Sequence, residues 1–133
     1  MLTLDRATCE AMVAQARAEA PNECCGLLAG RDGRVRQRYP VTNAEASPYR
    51  YNMDSRELLR AMRAMDEQGW ELLAIYHSHT HTPAYPSPTD VSLAFYPEAF
   101  YLLISLMDPQ QPVVRAFRIV EGQISEAELF VEG

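Results

Sequence analysis

The sequence predicts an α/β fold, a mixed β-sheet flanked by helices. Three observations carry this. Segments 5–21 and 54–70 repeat apolar residues at spacings of three and four, the period of an amphipathic helix. Short apolar runs, "CCGLLAG" and "ELLAIYHSH", follow each of them, as buried strands do. The last third of the chain is a series of strand-like runs separated by brief turn signals.

Each element follows from local chemistry. In "DRATCEAMVAQARAEAP", Cys9, Met12, Val13, Ala16 and Ala20 share a helix face; Asp5 caps the start and Pro21 stops it. "CCGLLAG" suits a strand buried on both faces, with Cys24 and Cys25 as small packing residues. "RDG" turns the chain into "RVRQRYPV", where Val35, Gln37 and Tyr39 point one way and Arg34, Arg36 and Arg38 the other. The arginine row reads as a solvated face near a sheet edge, or as a basic patch for an acidic partner. "TNAEASPYRYNM" is a polar connection with a short strand near Tyr51. In "DSRELLRAMRAMDEQGW", Asp54 and Glu57 resemble a capping pair, Leu58, Met62 and Met65 form a core stripe, and Gly69 suits the C-terminal cap. "ELLAIYHSH" is a strand, and "SPTDVSLAFYP" starts a short helix that Pro97 ends. "AFYLLISLM", "VVRAFRIV" and "QISEAELFV" are the last strands, giving the order α-β-β-α-β-α-β-β-β.

The 133 residues suffice for a single domain, 1–133, with one apolar core. With 47% hydrophobic and 23% charged residues the composition is that of a soluble protein. The net charge of −6 gives no general attraction to nucleic acid or to an anionic membrane. No apolar run approaches a membrane span of roughly 20 residues, and "MLTLDRATCE" is broken by Asp5 and Arg6, unlike a secretory leader. Three cysteines without a CxxC spacing are no disulfide framework and suit a reducing cytoplasm. Every basic side chain is arginine; lysine is absent. The sequence is silent on oligomeric state, so a homodimer stays open.

All three histidines fall in "HSHTH", residues 77–81. Alternate strand residues share a face, so His77 and His79 project together, on the side of Leu73 and Ile75. Two imidazoles so placed can converge on one zinc ion. His81 has the same parity and is a rival ligand. Downstream, Ser87-Pro88-Thr89-Asp90 has a purely structural reading: serine at the N-cap, proline at the first helical position and an acid two residues on. What stands out is the conjunction: His-x-His, seven residues, Ser, two residues, Asp.

That conjunction resembles the JAMM (MPN-plus, Mov34/PAD-1-like) zinc metalloproteases and isopeptidases, whose pattern adds an upstream glutamate. In "PNECCGLLAG" that residue is Glu23, which without the resemblance reads as a surface residue at a helix–strand junction. The resemblance covers nearly the whole chain. It implies a sheet flanked by helices, related to the cytidine-deaminase arrangement. It implies one Zn2+ per chain held by His77, His79 and Asp90, with Glu23 as the general acid–base and Ser87 donating to the oxyanion. The spacing to Ser87 and Asp90 counts from His79, which favours His77 and His79 over His81. Thr80 departs from the pattern, which often has proline there.

"YHSHT", "AYPSPTDV", "TNAE" and "RIVEG" further resemble bacterial stand-alone members of the family. These imply hydrolysis after the C-terminal Gly-Gly of a ubiquitin-fold sulfur-carrier protein, releasing cysteine. Such a tail is expected to add as a strand beside a sheet edge. Removal of ubiquitin-like modifiers from lysine side chains is the second reading. A non-catalytic MPN scaffold, whose relatives have typically lost ligands that this chain keeps, or a zinc-binding module, which would not need Glu23 or Ser87, is the third. A zinc deaminase needs a Cys-x-x-Cys that is absent here.

Overall fold

The computed structural model describes residues 1–133. Its elements are β1 (Leu2–Asp5), α1 (Arg6–Glu19), β2 (Cys25–Arg31), β3 (Arg34–Val41), α2 (Ser55–Gln68), β4 (Glu71–His79), α3 (Pro88–Ser92), β5 (Phe100–Ser105), β6 (Val113–Val120), β7 (Gln123–Ala127) and β8 (Leu129–Glu132). All eight strands join one mixed sheet in the order β7-β6-β5-β4-β2-β3-β1-β8. No helix is long and apolar enough to cross a membrane.

Two differences from the sequence reading concern strands. Leu2–Asp5 is a strand, because it pairs in parallel with β8 across the sheet, a contact that four residues cannot announce. "QISEAELFV" is two strands: it breaks at Glu128, and its halves lie at opposite ends of the sheet order. The sheet therefore curls until its edges nearly meet. The hollow is filled by α1, whose Met12 and Ala16 are buried with Leu2, Leu4, Leu28, Tyr76, Leu102 and Ile104. On the opposite face α2 lays Ala61 and Met65 over Leu27, Ile75 and Tyr101, with Leu58 and Met62 packed alongside.

Caps set the helix ends. The Asp5 carboxylate accepts from Thr8 N–H at 2.7 Å, and that of Asp54 accepts from Arg56 and Glu57 N–H at 3.0 Å. Glu57 does not complete the expected reciprocal cap; its carboxylate accepts from Thr42 N–H instead, at 2.9 Å. Gly69 ends α2 at φ 71°, which favours glycine. The third helix stops at Ser92, before Pro97.

Bulges correct the face assignments. Ala29 pairs with Gln37 but Gly30 with Val35, so Arg36 is the extra residue. Val35 consequently packs on the α1 face and Tyr39 on the α2 face. The strand lies between β2 and β1, not at an edge. Two of its arginines have partners: Arg34 pairs with Glu132, and Arg38 donates to Gln15 and to Tyr76 Oη. In β4 the extra residue is Leu73, which faces the α1 core, whereas Ile75 faces α2. The expectation that Leu73 shares the face of Ile75 fails for that reason. Tyr51 forms no strand; its segment is a loop closed by an isolated bridge between Asn43 and Met53.

Candidate metal centre

The centre sits where β4 runs out between β2 and β5. His77 pairs with Cys25 of β2, and His79 is the last residue of the strand. Both imidazoles leave the sheet on one side and meet Asp90, which α3 supplies. The Ser87 hydroxyl accepts from Asp90 N–H (3.0 Å), while Ser87 N–H donates to Asp90 Oδ2 (2.8 Å). This reciprocal cap fixes the carboxylate in place. His77 Nε2 then lies 3.1 Å from Asp90 Oδ1, and His79 Nε2 lies 3.0 Å from Asp90 Oδ2. The three ligand atoms fall within 4.8 Å of one another, and all three residues are buried.

The donor set fits a metal ion. Two imidazole nitrogens and a carboxylate leave one tetrahedral position open, the pattern of a catalytic zinc. His79 Nδ1 lies 3.0 Å from the Pro83 carbonyl. A carbonyl only accepts, so Nδ1 carries a proton, and in the neutral ring Nε2 would be the nitrogen left to ligate a metal. His77 is only 1% exposed, yet neither ring nitrogen makes a hydrogen bond. A buried polar ring without partners suits a ligand better than a packing residue.

Glu23 precedes β2 and is 2% exposed; its Oε1 is buried with no hydrogen-bond partner. Burial chiefly raises its pKa from 4.5 to about 8, with His79 opposing the rise and Asp90 adding to it. The acid is therefore electrostatically coupled to the cluster without belonging to it. Burial also pushes the Asp90 carboxyl up, but contacts with His77 and His79 outweigh it and hold Asp90 well below the usual carboxylate range. Burial lowers His77. In His79, Asp90 and the Pro83 carbonyl overcome burial and raise it.

The structure thus brings Glu23, His77, His79, Ser87 and Asp90 into one region. It leaves His81 out: the strand ends at His79, Thr80 Oγ1 donates to the Pro21 carbonyl at 2.9 Å, and His81 is exposed outside the cluster. Ser87 Oγ accepts within the cap, so its own proton remains available to donate. The helix α3 is only five residues long. Within the sheet β4 is paired on both sides. A cleft of about 260 Å³ runs past Tyr51, Leu58, Met62, Phe95 and Tyr101.

Residues not singled out from sequence also build the site. The Tyr51 ring lies over His77, centroids 4.6 Å apart. Asn43 is buried and ties the loop that carries Tyr51 to Glu23. Ser78 points away from the cluster into the α1 core. A serine between the two cluster histidines, on the apolar face of its strand, was the available signal for the last.

Comparison with known proteins agrees with this architecture. Residues 5–120 match the family described as prokaryotic homologs of the JAB domain. The chain is similar to the CysO-cysteine peptidase of Mycobacterium bovis, 50% identical over 118 residues, covering 87% of this chain and 81% of the relative. It is also similar to a "Probable TtuB-protein conjugate cleaving protease" of Thermus thermophilus, 41% identical over 106 residues, 79% of this chain and 67% of that one. A JAB1/MPN domain protein from Archaeoglobus fulgidus shares the fold at a TM-score of 0.68 and 18% identity, over 100% of both chains. The matched span, the fold and the His-His-Asp cluster agree: the chain is a hydrolase of the peptidase class and belongs to the prokaryotic JAB-domain homologs of the JAMM/MPN family.

Proposed function

We propose that this chain, acting as one domain over residues 1–133, hydrolyses the amide bond after the C-terminal Gly-Gly of a ubiquitin-fold sulfur-carrier protein and releases cysteine. One observation carries the reading: a buried His77–His79–Asp90 cluster with a separate, protonatable carboxyl, Glu23, beside it. The relative named for a CysO-cysteine substrate supports cysteine as the leaving group.

His77, His79 and Asp90 would hold one Zn2+. Bound there, zinc supplies the Lewis acidity that makes water nucleophilic near neutral pH. Glu23 takes the proton of the attacking water and carries it to the leaving amine, a service that contributes on the order of 10²–10⁴-fold. Ser87 O–H donates to the oxygen that gains charge in the tetrahedral state. The cleft past Tyr51 receives the extended tail, where glycines allow close backbone approach. Three free cysteines are consistent with a reducing cytoplasm.

A second reading, release of a ubiquitin-like modifier from a lysine side chain, is favoured by the relative named for protein-conjugate cleavage. Carriers bearing a C-terminal cysteine, a lysine-linked or a peptide extension after Gly-Gly separate the readings. Each is incubated with zinc-loaded protein and weighed intact by mass spectrometry. Fastest loss of cysteine is expected; exclusive cleavage of the lysine-linked adduct selects the second reading.

A further inference from the structure

Glu23 stands two residues outside the sheet. The ladders of β2 with β3 and with β4 both end at Cys25. Past that point a peptide unit needs other partners to be held. The Glu23–Cys24 peptide has them at both ends. Its N–H, on Cys24, donates to Ser78 Oγ at 2.8 Å, and its carbonyl, on Glu23, accepts from Asn43 Nδ2 at 3.1 Å. Both side chains are buried, Ser78 at 1% exposure.

Neither contact is incidental to its own residue. Ser78 also pairs through its backbone, donating to the Cys24 carbonyl at 3.2 Å, so the strand carrying both histidines grips this segment twice. Asn43 fills all four of its side-chain positions: its other N–H donates to Arg50 O, and Oδ1 accepts from Glu45 and Asn52 N–H. Glu23 N–H donates to Ser47 O in the same loop, at 2.8 Å. The backbone of Glu23 is thus fixed from two sides while its Oε1 has no partner.

We propose that Ser78 and Asn43 are positioning residues that clamp the Glu23–Cys24 peptide and thereby aim the Glu23 carboxyl at the cluster. The inference rests on the reading of Glu23 as the proton-transfer group. Groups that orient a reacting residue from behind affect activity by about 10–100-fold, and small misplacements near the chemistry have effects of that order.

The test uses Ser78→Ala, Ser78→Thr and Asn43→Asp. The last keeps the acceptor toward Glu45 and Asn52 but removes the donors to the Glu23 and Arg50 carbonyls. On a carrier–cysteine adduct, Ser78→Ala and Asn43→Asp are expected to lower kcat about 10–100-fold with KM little changed and zinc content equal to wild type. Ser78→Thr restores the rate. Added to Glu23→Gln, Ser78→Ala leaves the residual rate unchanged. In the metal-free protein, hydrogen exchange at Cys24 N–H is faster in Ser78→Ala than in Ser78→Thr. Full activity of Ser78→Ala, a rate loss that tracks zinc loss, or the same loss in the Glu23→Gln background overturns the proposal. If Ser78→Ala does not fold, Asn43→Asp decides by the same criteria. Wild-type turnover that survives Glu23→Gln removes the reading of Glu23, and this inference with it, but leaves the hydrolysis reading standing.

Discussion

His77 Nε2 and Asp90 Oδ1 lie 3.1 Å apart, both buried, yet out of line for a hydrogen bond. Asp90 is held by the Ser87 cap and His77 by the β2–β4 ladder, so neither can turn toward the other cheaply. With His79 Nε2 they form a set of donor atoms within 4.8 Å of one another that could hold a metal ion.

Removing one of the three donors should therefore remove the ion. Zinc content of purified, dialysed protein is expected to be about one per chain in wild type and near zero in Asp90→Ala or His77→Ala, measured by plasma mass spectrometry. Full zinc in Asp90→Ala would take Asp90 out of the ligand set.

Glu23 predicts a pH dependence of the metal-free protein. Its folded pKa, about 8, exceeds its ordinary 4.5, so the folded state retains a proton that the unfolded state releases between those values. The group's stabilising contribution is full below about 4.5 and is lost as pH rises through 8. Glu23→Gln abolishes that loss. With chelator present, its Tm should exceed that of wild type at pH 9, and the gap should close toward pH 5. A gap constant across this range contradicts the assignment.

Ser87 serves both the α3 cap and, in the proposed reaction, the oxyanion. Ser87→Ala should cost about 1 kcal/mol of stability through the cap and about 10²–10³-fold in kcat. Ser87→Gly keeps most of the cap, so it should recover stability in urea titration without recovering kcat. Parallel recovery of both would reduce Ser87 to a cap.

Gly26 pairs with Tyr76, and a Cβ there would overlap the Tyr76 ring. That ring cannot easily move aside, because its hydroxyl donates to Gln15 and accepts from Arg38. Gly26→Ala should cost about 2–3 kcal/mol by urea denaturation; a change within experimental error would show that the ring relocates.

Much of the fold was legible in the sequence because periodicity and caps are local. Both long helices carry their signals within themselves: Asp5 and Pro21, Asp54 and Gly69. What could not be read depends on distant partners. The strand at Leu2–Asp5 exists because β8 lies beside it, and the break at Glu128 exists because the sheet curls around α1. The bulges at Arg36 and Leu73 swap faces without any mark in the hydrophobic pattern. In the site, strand parity put His77 and His79 on one face and the cap pattern paired Ser87 with Asp90, because both features are local. Glu23 lies more than fifty residues upstream and was reached only through resemblance. Tyr51, Asn43 and Ser78 act through contacts that no spacing encodes.

The most direct test of the account compares wild type with Glu23→Gln at matched zinc content, on a carrier ending in Gly-Gly–cysteine, followed by intact mass. Wild type is expected to shed the cysteine while the variant, equally loaded with zinc, is slower by at least about 10²-fold. Equal rates would show that the buried carboxyl beside the histidine cluster does not move the proton.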